Sequence, residues 1–440
     1  MHPTKASSVL LVLLLIPISM GVAFAASMTS GPPKKPKFTT IYNFGGLDGA
    51  IPFGRLIQDK RGNLFGVTEK GGPQGQCEGT GCGTVFELFP HSDGRWTEKI
   101  LHYFGVERND GRYPSGQLIF DTRGNLFGAA ASGGTSQNFG MIFKLSRSAQ
   151  GRWIEEAIYN FTGGDDGGFP GELLMDGSGN LYGTTSTRGR YDLGTVWELS
   201  PRSQGTWTLT LLQTMNGLNG TNPGAGLNFD SLGNIWGTTY LGGAFGEGTV
   251  FELTPNGSGG WTYQVIHDFI GKDGIGPPVG RLVFGKHGHV FGMTEYGGGD
   301  NCRERGRLGC GTIFGLIPAR GGGYTFIEVY QFGATDRLDG FFPEGGLRFD
   351  QAGHLYGTAS IGGSGRCEGD PGHGCGIVFE LVHKDGSWEE TVIHNFDKRD
   401  GEYPATGLKS DRRGRLHGTT LYGGPHQLGT IYEIRLSDER

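Results

Sequence analysis

Gly179-Asn180-Leu181-Tyr182-Gly183-Thr184-Thr185, answered eleven residues beyond Gly183 by Gly194-Thr195-Val196-Trp197-Glu198-Leu199, is the stretch from which the rest of the chain can be read. Its first half recurs as Gly62-Asn63-Leu64-Phe65-Gly66, Gly124-Asn125-Leu126-Phe127-Gly128, Gly233-Asn234-Ile235-Trp236-Gly237, Gly288-His289-Val290-Phe291-Gly292, Gly353-His354-Leu355-Tyr356-Gly357 and Gly414-Arg415-Leu416-His417-Gly418. Successive copies start 62, 55, 54, 55, 65 and 61 residues apart. A period of that size marks a repeat architecture, in which one unit cannot bury its apolar face alone and stacks on its neighbours.

Each unit holds four strand-like segments. Segment A follows an Asp-Gly-x-x-Pro turn and ends like Leu118-Ile119-Phe120-Asp121; segment B is the Asn-Leu-Tyr-Gly-Thr-Thr run; segment C is Gly-Thr-Val-Phe-Glu-Leu. Segment D starts near a tryptophan (Trp96, Trp153, Trp207, Trp261, Trp388) and ends in phenylalanine. Four short strands per unit, separated by turns, describe the blade of a β-propeller. Glycine fits this reading: 86 of 440 residues, with no Gly-X-Y period, serve tight turns rather than collagen. Between A and B, Asp-x-x-Gly recurs at Asp59, Asp121, Asp176, Asp230, Asp350 and Asp411, the chemistry of a hairpin turn.

The two ends complete one another. The seventh unit stops after segment C (Thr430-Ile431-Tyr432-Glu433-Ile434), whereas an orphan D segment opens the repeat region at Phe38. Joining them seals the ring and removes the bare sheet edges of an open array. The expected fold is therefore all-β: a single closed seven-bladed propeller over residues 38–436, its last blade completed by the N-terminal strand. Lys5, the apolar run Val9 to Ile16 and the small-x-small Ala23-Phe24-Ala25 read as a secretory signal peptide over residues 1–25. A Pro/Lys-rich leader, 26–37, and a polar tail, 437–440, flank the ring. The expectation is an exported protein, secreted or periplasmic, with no membrane span. A net charge of -6 and the lack of a basic stripe argue against nucleic acid as a partner, and none is expected; the oligomeric state is left open.

The paired motifs, Gly-Asn-Leu-[Phe/Tyr]-Gly-Thr-Thr and Gly-Thr-[Val/Ile]-Phe-Glu-Leu with an intervening Gly-Gly, resemble the choice-of-anchor tandem-repeat GloVer family of exported bacterial proteins. The likeness runs through essentially all of the mature chain. It implies export and repeat architecture, and brings no catalytic residues with it. Members commonly end in a sorting segment, which is not expected here, seven residues beyond Glu433.

Six cysteines fall in three local pairs, Cys77/Cys82, Cys302/Cys310 and Cys367/Cys375, each within a B–C loop. In an exported chain the placement points to three disulfides within loops, and no histidine pair completes a zinc site. The loops of these units are long. From the glycine opening motif B to that opening C is 21, 23 and 23 residues, against 15 or 16 in the other four. The long loops belong to units 1, 5 and 6, which closure gathers into one sector. They are expected to raise a lip beside the channel mouth that contacts a partner.

Groups present in nearly every unit read as architecture. Asp48, Asp110, Asp166, Asp273, Asp339 and Asp400, with Asn219 in unit 4, are Asx turns that start strand A, with a calcium ring as the rival reading. Glu87, Glu198, Glu252, Glu380 and Glu433 are polar partners for a neighbouring strand. Function is sought where units differ. After strand B these are Glu69, Lys70, Arg188, Tyr240, Glu295, Tyr296 and Tyr422, with His426 in a B–C loop, and they suit stacking on sugar rings with hydrogen bonds to hydroxyls. The expected function is a binding or interaction module for a glycan or a surface protein, without a cofactor. The rivals are a propeller enzyme (polysaccharide lyase, glycoside hydrolase or lactonase), with His417 and Glu295 as acid–base candidates, and a structural envelope component.

Overall fold

The computed structural model describes residues 35–436 apart from 76, 78, 136–137, 258, 278–279, 300–302, 305–306, 334–337 and 368–373. Seven antiparallel sheets of the expected A-B-C-D order form a seven-bladed β-propeller. Strands B, C and D of blade 3, for example, are Leu181–Thr187, Thr195–Pro201 and Trp207–Thr214. Strand A is short and often split: in blade 1 it is Ala50–Pro52 and Ile57–Gln58. The seventh sheet closes the ring, with Lys37–Asn43 pairing antiparallel to Thr430–Arg435. The expected signal peptide and tail lie outside the described residues.

The two halves of the repeated motif meet in space. Gly66 of strand B lies opposite Phe86 of strand C, and a β-carbon there would stand 2.5 Å from the ring. The same register sets Gly128, Gly183, Gly237, Gly292, Gly357 and Gly418 under Phe143, Trp197, Phe251, Phe314, Phe379 and Tyr432, and a β-carbon at each would collide with the ring. The glycine is thus a slot for the aromatic residue, and all seven rings are completely buried. Such side chains are among the largest buried in each blade.

Neighbouring blades are joined by the Asp-Gly-x-x-Pro turns. The residue before each proline donates its backbone N–H to the carbonyl preceding strand C of the previous blade. The bonds are Tyr113 to Cys82, Phe169 to Phe139, Asn222 to Leu193, Gly276 to Glu247, Phe342 to Cys310 and Tyr403 to Cys375, at 2.9–3.1 Å. Ile51 to Leu428, at 2.9 Å, closes the circle from blade 7 to blade 1. All seven donors have left-handed backbone, with φ from 53° to 63°. For a β-branched residue such as Ile51 that geometry is a true outlier, held by the junction bond.

Every D strand carries one extra residue where it pairs with C. Leu101, Ile158, Leu212, Ile266, Val329, Ile393 and Ile41 are skipped in the register. A bulge at the same rung in all seven blades increases the local twist of the outer strand. It also brings the residue after the bulge, a tyrosine or histidine in six blades, toward the turn that leads into the next blade.

Candidate functional site

The ring of aspartates is occupied by its own blades. Asp48 accepts from the Tyr42 hydroxyl at 2.5 Å and from Gly45 N at 2.8 Å. Asp166 accepts from Tyr159 and Thr162, and Asp339 from Tyr330 and Gly333. Asp110, Asp273 and Asp400 meet His102, His267 and His394 at 3.3, 2.9 and 3.0 Å. These bonds fasten strand D to the next turn; the carboxylates accept from residues that precede them rather than from the N–H two residues on, so the expected Asx turns are not the geometry here. The next blade covers the fastening with Phe38 or Phe326 stacked on His394 or His267 at two junctions.

At three junctions the cover is a glutamate. Glu98 faces the Tyr42–Asp48 bond, Glu155 faces His102–Asp110 and Glu390 faces Tyr330–Asp339. The Oε1 atoms of all three are buried without a hydrogen-bond partner among the described residues. Burial, reinforced by the neighbouring aspartate, pushes Glu98 and Glu155 up to about 7 and Glu390 up to about 8. Each of these glutamates thus holds its proton to higher pH than an ordinary carboxyl.

The strand-C glutamates also find structural partners. Glu87 and Glu252 accept from Asn63 and Asn234 at 3.0 and 2.8 Å, and Glu380 meets His354 at 2.9 Å. Glu433 accepts from Arg415 at 2.6 Å and Arg435 at 2.7 Å and stands 3.3 Å from His417 Nε2. In blades 1 and 4 the asparagine of the repeated motif is therefore the bridge between strands B and C. Glu198 bonds instead to Ser200 of its own strand.

The cavity of interest is reached by every blade. Phe53 and Arg55, Gly116, Glu172, Tyr240, Arg281 with Glu295, Glu344, and Tyr403 with Leu421 line one space of about 290 Å³. Only the axis of the ring is common to all seven blades. The cavity opens at the end of the ring where strand B runs into the B–C loop, since Tyr240 and Leu421 directly follow Ile235–Thr239 and Leu416–Thr420. The Asp-Gly-x-x-Pro turns meet the B–C loops at this same end, as in Gly72 N to Gly46 O and Gly189 N to Gly164 O.

Chemically the cavity has two levels. At the mouth, the Tyr240 hydroxyl donates to Glu295 Oε2 at 2.8 Å, and the Ser360 hydroxyl donates to Glu344 at 3.1 Å. Below, the residue preceding the strand-A leucine is Arg55, Gln117, Glu172, Gly226, Arg281, Gly346 or Gly407, according to the blade. Arg281 Nε donates to Glu172 at 2.6 Å and its Nη2 to the Leu173 carbonyl at 2.6 Å. This pair lies over Gly226, where a β-carbon would stand 2.7 Å from Arg281 Nε. Arg55 reaches from blade 1 across to blade 7, where a β-carbon on Gly407 would stand 2.8 Å from its Nε.

The expected candidates separate on this geometry. Tyr240 and Glu295 are brought together in the cavity, although they belong to different blades. Tyr422 is 43% exposed, with its ring 6.3 Å from that of Tyr403. Glu69 and Lys70 are half-buried at the end of strand B of blade 1, and His426 is exposed. Arg188 lies on the surface, 3.5 Å from Asp192 and 5.0 Å over the Phe139 ring. Tyr296 turns inward and packs on Phe342 in the core. His417 is fully buried beside Trp96. It stands four residues below Leu421 on strand B, roughly 13 Å from the mouth at ~3.3 Å per residue. Arg55, Glu172, Arg281, Glu344 and Tyr403 went unnoticed in the sequence. For Arg55, Glu172 and Arg281 the signal was available in the variation of one strand-A position between blades.

Cys77–Cys82 and Cys367–Cys375 form disulfides within their loops. Cys310 is also disulfide-bonded, whereas Cys302 lies outside the described residues. Of the described residues of these loops, Glu295, which directly follows strand B of blade 5, lines the cavity, whereas the described cysteines do not. No helix of the described residues is long and apolar enough to cross a membrane. The disulfides are consistent with an extracellular or periplasmic protein.

Fold and cavity define a seven-bladed β-propeller with an axial pocket that carries charged side chains. The profile of the Gloeobacter/Verrucomicrobia repeat matches residues 20–197 and 169–432, and the chain belongs to that family. Among solved structures, an extracellular domain of a one-component system from B. thetaiotaomicron is similar at 13% identity and a TM-score of 0.51, over 92% of this chain and 42% of that one. The surface component PorZ of the Porphyromonas gingivalis type-IX secretion system follows at 14% and 0.46, over 87% and 46%. A gluconolactonase of Xanthomonas campestris is 13% identical with a TM-score of 0.39, over 72% and 84%. At these identities the likeness concerns the fold. No curated protein matches the chain.

Proposed function

We propose that the chain is an exported binding module that takes a glycan at the axial mouth, with residues 1–25 removed as a signal peptide and the ring at 38–436 as the working domain. The observation that carries this reading is the composition of the one space shared by all blades: Phe53, Tyr240 and Tyr403 beside Glu295 and Glu344. Aromatic rings offer flat apolar faces to the C–H side of a sugar, and carboxylates accept from its hydroxyls. Tyr422, with Glu69, Lys70, Arg188 and His426 farther out, extends the contact surface on this reading.

The test is retention of the protein on a panel of immobilised polysaccharides, with the eluate assayed for new oligosaccharides. Retention without release, weakened at least tenfold by E295Q or Y422A, supports the reading. Release of oligosaccharide would replace it with an enzyme in which Glu295 is the first acid–base candidate. No retention on any polymer would turn attention to a surface protein at the lip of long loops, and the glycan reading would fall.

A further inference from the structure

Below its mouth, the axis of the propeller gathers four cations. Arg55 and Arg281 reach the cavity itself. Arg348 and Lys409 lie on the same strand-A row, two residues beyond Gly346 and Gly407. They are near enough that Arg348 and Arg55 both press on Lys409, and Arg348 on Arg55. Below the mouth, where Glu295 and Glu344 stand, these four cations meet Glu172, which Arg281 has claimed, and Asp411, which acts on Lys409. Among the described residues no hydrogen bond or ion pair reaches the side chains of Arg55, Arg348 or Lys409. Burial, with Arg281 and Arg348 adding to it and Glu172 opposing, pulls Arg55 down to about 10. Arg348 and Lys409 are lowered as well, by burial first.

Like charges gathered in a low-dielectric channel cost free energy unless an anion meets them. The fold makes room for the gathering. Glycine at 407, where other blades carry Arg55, Glu172 and Arg281, gives the Arg55 guanidinium its place, and glycine at 346 lies against Gly280 and Arg281. A guanidinium presents paired N–H donors in a plane that matches a carboxylate or a sulfate.

Resting on the glycan reading above, we infer that the axial cavity is an anion site: Arg55, backed by Arg348 and Lys409, receives the oxyanion of an acidic sugar whose ring lies against Tyr240 and Tyr403 at the mouth. Carboxylate and sulfate ester share this chemistry, and binding separates them.

The experiment measures glucuronate, glucose 6-sulfate, glucose and inorganic sulfate by calorimetry and thermal shift at fixed ionic strength, on the wild type and on Arg55→Gln. The expected result is that one of the two acidic sugars binds at least tenfold more tightly than glucose, and the tighter one names the oxyanion. Arg55→Gln abolishes that preference and raises the melting temperature of the ligand-free protein, because an uncompensated charge has been removed. Arg348→Gln makes the same comparison if Arg55→Gln does not fold. Equal binding of glucose and both acidic sugars, unchanged by the substitution, overturns the anion site and leaves the glycan reading standing. Response to inorganic sulfate, lost in Arg55→Gln, with no sugar binding better than sulfate, upholds the site and removes the glycan. Silence toward all four probes overturns the site. So does a fall in ligand-free melting temperature in Arg55→Gln with the sugar preference intact, since Arg55 would then be structural.

Discussion

Alkaline pH should loosen this propeller through three particular residues. Glu98, Glu155 and Glu390 hold their protons to about 7, 7 and 8, against 4.5 for an ordinary glutamate. The folded chain therefore binds protons that the unfolded chain has already released. Stability from these groups is complete below about pH 4.5 and is lost as pH rises through 7 to 8. A pH unit of difference is worth ~1.4 kcal/mol. Solvent reaches part of each side chain, and discounting by about half for screening leaves on the order of 1–2 kcal/mol per glutamate. Three junctions then lose about 3–6 kcal/mol in all. With an unfolding entropy of ~2 cal/mol/K per residue, this corresponds to several degrees for a 440-residue chain. Glu433 works in the opposite direction and at lower pH. Burial opposes its ionisation, but His417, Arg435 and Arg415 outweigh that and hold it down to about 2, so its contribution is lost only as pH falls from 4.5 toward 2. Thermal melting followed by circular dichroism from pH 5 to 8.5 should show a steady decline. The triple variant E98Q/E155Q/E390Q, whose amides imitate the protonated acids, should flatten it. A wild-type melting temperature that is level or rising across this interval would refute the reasoning, as would a triple variant that keeps the wild-type slope.

Gly237→Ala places a β-carbon 2.5 Å from the Phe251 ring and 2.8 Å from Leu227 Cδ2, and should cost ~1–3 kcal/mol by overpacking. Chemical denaturation should find the double variant G237A/F251L less destabilised than the sum of the two single changes. Replacing Cys367 and Cys375 by serine, across a sequence separation of 8, should lower stability by ~2–3 kcal/mol on chain-entropy grounds while far-ultraviolet circular dichroism stays unchanged; loss of the β signal would show that the staple holds the fold.

The architecture was legible because its physics is local and repeated. A glycine in strand B and an aromatic residue in strand C are two ends of one contact, so each blade must write both, seven times over. The Asp-Gly-x-x-Pro turn is legible for the same reason. The cavity is the reverse case. Arg55 and Gly407 are more than 350 residues apart and become neighbours only when the ring closes, so no short stretch announces them. Sequence reasoning about differences between units did reach Tyr240 and Glu295. It reached Tyr296 by the same step, and there failed, because consecutive residues at the end of a strand point to opposite sides. His417 stands out in the sequence as a departure from the aromatic pattern. In the structure it fills the aromatic site, against Trp96, and meets Glu433 there.

The pairing of residues 37–43 with 430–435 has a consequence for how the molecule is made. During synthesis the first strand emerges with no sheet to join, and its partner is among the last to appear. Six blades can assemble while both edges of the unfinished circle are bare. Each such edge is a template for the same strand of another chain, and an exchange between two copies would satisfy every hydrogen bond that the closed ring satisfies. Slow refolding at high concentration should therefore yield strand-swapped dimers alongside monomers, with a proportion that falls on dilution.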